Sequence, residues 1–176
     1  MTRATDGGDA SNDSERFARL PESEDGRDVE GRATREAILS WWADRFGIDP
    51  AVFEGHTFWE KGAGKIWVLA GDAADGLPIE ALGMRVMHTR QEHWKPTTNA
   101  AQRFGRHASK NCIDLTREEA RAFIAGEDRE IEWDGDWGYV IATRELAGDR
   151  EPLGVGLYTY GELKSQIAKG RRRDLE

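Results

Sequence analysis

The residues whose types and spacing invite a chemical reading are four histidines, one cysteine, two glycine-rich segments and clustered arginines and lysines. Lys61-Gly62-Ala63-Gly64-Lys65 invites a phosphate-loop reading, because backbone N–H groups of such a turn can wrap a phosphate. Its spacing fails: Trp59 stands where the earlier glycine is required, and Ile66 replaces the hydroxyl that would hold magnesium. Gly154-Val155-Gly156 has Thr159 where a dinucleotide fingerprint needs glycine, so it reads as a barrel strand that needs close backbone approach. His88 and His93, with His107 further on, are spaced for neither one helix face nor a ligand pair, so no metal or other cofactor is expected. An enzyme built on His88, Glu92 and His93 is the weakest reading, since base, nucleophile and orienter are not recognisably spaced. Cys112 can form no intrachain disulfide, and its strand setting reads as a small buried hydrophobe.

Charge is the second source of function. The net charge is −8 and the pI about 5.1, which argues against a polyanionic partner if charge is spread evenly. It is not spread evenly. Residues 1–31 carry four arginines against nine acids, whereas residues 85–110 carry Arg85, Arg90, Lys95, Arg103, Arg106 and Lys110 against Glu92 alone. A second basic segment closes the chain, where Lys164, Lys169, Arg171, Arg172 and Arg173 face Asp174 and Glu176. Abundant Asp and Glu, with Arg preferred over Lys, suggest a halophile whose surface acids are a solvent adaptation. At molar salt the screening length is about 3 Å, so shape and stacking must then carry much of the affinity for any polyanion.

These residues need elements to position them. Residues 1–31 are rich in Gly, Asp, Ser and Glu, with Phe17, Leu20 and Val29 their only large apolar side chains, and read as a disordered acidic tail. Thr34 as cap, Glu36 in the first turn, Ile38, Leu39, Trp42 and Phe46 at helical spacing and a closing Gly47 predict the first helix. Segments 53–59, 66–70 and 81–88 predict strands, and Thr97 or Thr98 caps a helix running to Phe104. From Asn111 the pattern changes to short strands around one helix. That helix is capped by Thr116, carries Glu118 and Glu119 in its first turn and stops at Gly126. Strands are expected at 112–115, 131–133, 137–143, 153–158 and 163–167, which suggests a small barrel. The longest apolar run, Ile66 to Ala70, is far short of the roughly 20 residues that cross a bilayer, and the first residues lack the apolar core of a signal peptide. The expectation is a cytoplasmic protein with no membrane partner.

Six segments in order carry a resemblance: Lys95-Pro96-Thr97-Thr98-Asn99-Ala100, Leu115-Thr116-Arg117-Glu118-Glu119-Ala120, Gly126-Glu127-Asp128, Gly138-Tyr139-Val140-Ile141, Leu153-Gly154-Val155-Gly156 and the run from Gly161 to Arg171. The series resembles the C-terminal PUA-like region of RNA cytosine-5 methyltransferases of rRNA and tRNA. Residues 32–105 look like the small α/β domain that often precedes it. One departure stands out, because the family usually has proline where this chain has Ala168. The resemblance implies an α+β protein: a disordered acidic tail (1–31), a small α/β pre-PUA domain (32–108) and a PUA-like mixed β-barrel (109–176).

Cytosine-5 methylation uses a nucleophilic cysteine, in this family a second cysteine, and a methyl-donor site. Cys112 alone cannot supply these, so the resemblance implies an RNA-binding part without catalysis. PUA domains grip RNA between the segment after their helix and the last strand, which implies Gly126, Glu127 and Asp128 beside Lys164, Lys169, Arg171, Arg172 and Arg173. Lys95, Arg103 and Arg106 could extend that surface, and Tyr139 or Tyr158 could stack on bases. The expected partner is structured rRNA or tRNA, with an RNA methyltransferase or ribosome-assembly protein alongside. The competing reading is a protein-interaction adaptor in which Trp41, Trp59, Trp67 and Trp94 form an exposed surface.

Overall fold

A computed structural model describes residues 16–172. The described residues build two five-stranded sheets and three α-helices. The first sheet is an antiparallel meander of β1 (Ala18–Arg19), β2 (His56–Glu60), β3 (Lys65–Ala70), β4 (Met84–His88) and β5 (Lys95–Pro96), in that order. α1 (Arg35–Phe46) starts where Thr34 Oγ1 accepts the Ala37 N–H at 3.0 Å and ends at Gly47 in the left-handed region. Its Ile38, Trp42 and Phe46 are buried with Phe53, Phe58 and Ile66. α2 (Thr98–Phe104) is capped by Thr97 and packs between β4 and the second sheet.

The second sheet is a curled half-barrel of β6 (Cys112–Asp114), β7 (Arg129–Glu130), β8 (Gly138–Leu146), β9 (Asp149–Thr159) and β10 (Glu162–Ser165), ordered β6-β8-β9-β10-β7. Only the β6–β8 pair is parallel. Tight turns with positive φ at Ala147-Gly148 and Tyr160-Gly161 close the two long hairpins. Pro152 pairs with Thr143 where the β8–β9 register shifts, the kind of irregularity a strand residue without an N–H requires. α3 (Arg117–Ala125) has a full capping box, with Thr116 Oγ1 accepting from Glu119 N–H and Glu119 accepting from Thr116 N–H.

The expected close approach at Gly154 and Gly156 is what β9 uses. A Cβ on Gly156 would press on Leu163 and on Phe123 of α3, and one on Gly154 would press on Ile167 and Thr98. The helix therefore beds directly on the strand, and Phe123 joins Val140, Ala142, Tyr158 and Leu163 in one core. A second, larger core crosses between the expected domains: Ile141 and Val155 of the half-barrel pack with Trp42, Phe46, Ala101 and Phe104. Two bonds from Arg45, Nε to Tyr139 O at 2.7 Å and Nη2 to Asp136 O at 3.1 Å, fasten the end of α1 to the start of β8.

Three sequence expectations need correction. Residues 16–31 are not a tail: β1 pairs with β2, Phe17 and Leu20 are buried, and Leu20 N–H donates to Phe58 O at 2.9 Å. Phe17 fits a pocket of its own with Trp59 and Leu82, so two buried apolar side chains in an acidic stretch suffice when a sheet edge receives them. The rest of the tail expectation, residues 1–15, lies outside the described residues. Residues 131–133 form no strand; Ile131 N–H makes one ladder-like bond, to Gly161 O, and the chain leaves the sheet. The expected strand from 81 begins only at Met84.

Candidate nucleic-acid interface

The glycine turn and the basic C-terminal segment meet. Gly126 closes α3 with φ +85, and a Cβ added there would overlap the Arg172 guanidinium. Arg172 is held by a bond from Nε to Ile167 O at 3.2 Å. The turn is tied down on its other side: Ser165 N–H donates to Asp128 Oδ1 at 3.2 Å, and Ser165 Oγ donates to Phe123 O at 2.7 Å. Asp128 thus anchors β10 to the turn. Glu127 is exposed, with its N–H bonded to Ala122 O at 2.9 Å. Lys169 opens the exposed final turn Lys169–Arg171, and Ala168 before it has φ −62 and ψ 143. That φ is the one proline would lock and the ψ is one proline accepts, so the alanine leaves this segment on a path compatible with proline.

Arg171 reaches the other way, into a cleft between the two sheets. Its guanidinium donates to Asn99 Oδ1 at 2.5 Å and to Gln102 Oε1 at 3.1 Å on α2. Across the cleft, Lys95 Nζ donates to Gln166 Oε1 at 2.9 Å and lies 6.0 Å from the centre of the Tyr139 ring. Arg85 on β4 adds a third cation to the lining, and His88 on the same strand is the cross-strand partner of Lys95. The cleft has a volume of about 360 Å³, and among the described residues no Asp or Glu lines it. Among the described residues the hydrogen-bond partners of Lys95 and Arg171 are amides, so none of them cancels either charge. Burial first, then Arg85, Lys65 and Lys95, push the His88 imidazole below its ordinary pKa. Its Nδ1 is buried without a hydrogen-bond partner.

Strand register extends this face. Lys164 pairs with Leu157, and Leu157 with Tyr139, which puts Lys164 on the sheet face that carries Gln166, two residues on. One carboxylate stands near it, Glu162 at 3.9 Å. Arg103 sits one helical turn beyond Asn99, exposed. Arg106 departs from the group: it forms a two-pronged pair with Glu151 at 2.8 and 3.0 Å. Arg173 lies outside the described residues. Sequence reasoning counted Arg85 in a basic island without placing it in the site, and it missed His88 and Gln166 as neighbours of Lys95. No short-range signal marks those contacts, because Lys95 and Gln166 are 71 residues apart.

The other readings lose ground on geometry. Trp59 is buried, and Trp41, Trp67 and Trp94 are partly buried against cores, so the four do not form the exposed surface of the competing adaptor reading. Glu92 lines a separate shallow groove with Trp41 and Trp94, apart from His88 in the cleft. Tyr158 is a core residue whose hydroxyl donates to Ile131 O at 2.7 Å, whereas Tyr139 remains half-buried at the rim of the basic face.

No curated protein matches the chain. Residues 3–83 match a family of unknown function (DUF7122), and neither family matched is a methyltransferase catalytic domain. Residues 110–173 match the model described as the methyltransferase RsmF PUA domain. Half-barrel, bedded helix and glycine turn agree with that match, and the C-terminal part of the chain is a PUA-like unit similar to the PUA domain of the methyltransferase RsmF.

Proposed function

We propose that the protein binds structured RNA, rRNA or tRNA, as a non-catalytic accessory or maturation factor working beside a separate RNA methyltransferase or ribosome-assembly protein. The observation that carries this reading is the convergence of Arg85, Lys95, Lys164 and Arg171 on one face, drawn from both halves of the chain. Their hydrogen-bond partners are mostly neutral, so their fields reach solvent in a protein whose net charge is −8. Guanidinium and ammonium groups left in that state suit phosphate oxygens, which accept charge-assisted hydrogen bonds. The half-buried Tyr139 ring beside Lys95 adds an apolar surface on which an unpaired base can rest.

Filter binding with transcribed tRNA and rRNA fragments at several salt concentrations tests the proposal. Lys164→Glu combined with Lys169→Glu should abolish measurable binding while leaving the melting temperature unchanged, because both side chains are at the surface. Full retention of affinity in that variant would contradict it.

A further inference from the structure

The cleft between the sheets is concave, and its size limits what can enter. At about 360 Å³ it lies near the small end of ligand pockets, which run from about 300 to 1,000 Å³. That is room for one nucleotide and too little for a duplex, whose phosphates would touch only the rim. Its charged lining has one sign, Arg85, Lys95 and Arg171, while Asn99 and Gln166 turn their amide oxygens to two of these cations and Gln91, Thr97 and Thr98 are neutral. What the cleft offers to a ligand is therefore above all positive charge, a match for phosphate oxygens. The Nδ1 of His88 is a further polar atom without a partner beside this lining.

Resting on the RNA-binding reading, we infer that this cleft is a pocket for a single phosphorylated nucleotide swung out of an unpaired RNA segment. Lys95 and Arg171 grip its phosphate from opposite walls. Each wall comes from a different half of the chain: Lys95 and Asn99 from the N-terminal part, Gln166 and Arg171 from the PUA-like part. The pocket thus makes the preceding domain a component of the recognition surface, rather than a support for it. Phosphates elsewhere in the RNA follow the rim, where Lys164 and Arg103 stand.

The experiment compares a hairpin carrying an unpaired loop with a fully paired duplex of the same length, binding to the full chain. Lys95→Gln and Arg171→Gln each remove one charge-assisted bond to phosphate, which should weaken hairpin binding about tenfold and change duplex binding less than about twofold. Equal loss on both RNAs would overturn the pocket and leave RNA binding standing as a general electrostatic surface; no loss on either would overturn it too. A second measurement separates the pocket from the RNA reading altogether. Titration of the protein with uridine monophosphate, followed by the imidazole proton resonances of His88, should shift those signals in the unaltered chain and leave them in place in Arg171→Gln. No shift in the unaltered chain would contradict a nucleotide pocket even if RNA binds, and a shift without RNA binding would support the pocket while refuting the proposed function.

Discussion

Arginines at two places in this molecule meet different partners. Arg106, Arg129 and Arg32 each face a carboxylate: Glu151 at 2.8 Å, Glu118 at 3.4 Å and Glu60 at 3.2 Å. Arg171, with Lys95 opposite, faces amides. The first set is neutralised and fastens the fold, most firmly at Arg32 and Glu60, which are almost wholly buried. The second set holds position without losing its charge. In an acidic protein, counting cations along the sequence says little about binding; the identity of the group each cation touches decides whether it is available.

That contrast can be broken from either side. The largest effect should come from Arg32→Met, which removes the guanidinium bonded to the buried Glu60 carboxylate at 3.2 Å and should cost about 3 kcal/mol of stability in chemical denaturation. Its RNA affinity, measured well below the melting temperature, should stay within about twofold of the unaltered chain, because Arg32 belongs to the fold. Next in size is the double variant Lys95→Gln with Arg171→Gln, which should lose about 2 to 3 kcal/mol of RNA binding with no fall in denaturation midpoint. Gly126→Ala forces an alanine into the left-handed region and displaces Arg172, so it should cost about 1 kcal/mol of stability and a smaller share of affinity. The smallest effect belongs to Arg106→Gln, whose exposed pair with Glu151 contributes less than about 1 kcal/mol and whose loss should leave RNA affinity unchanged.

Local chemistry explains what could be read in advance. Thr34 and Gly47, Thr116 with Glu119, and Gly126 bracket α1 and α3 in sequence as they do in space, because capping is settled within four residues. Gly154 and Gly156 disclosed a close approach, and α3 and the Ile167 segment make it. The meeting of the glycine turn with the basic closing segment was implied by the family resemblance, and Arg172 against Gly126 realises it. Long-range pairing explains what could not be read. β1 exists because a sheet edge accepts two residues beside buried Phe17 and Leu20, and nothing local distinguishes that stretch from a solvated tail. Residues 131–133 have the composition of a strand, yet the β7–β10 pairing has already ended at Glu130. The cleft depends on contacts that span 71 and 72 residues, so its composition emerges only when both sheets are in place.

Salt dependence of RNA affinity gives the most direct test of the claim that Lys95 and Arg171 keep their charge for phosphate. A plot of log affinity against log salt loses about one unit of slope for each phosphate-contacting cation removed. The Lys95→Gln, Arg171→Gln double variant should therefore show a slope shallower by about two units, and Arg106→Gln an unchanged slope. A double variant whose slope matches the unaltered chain would show that these two cations do not contact phosphate.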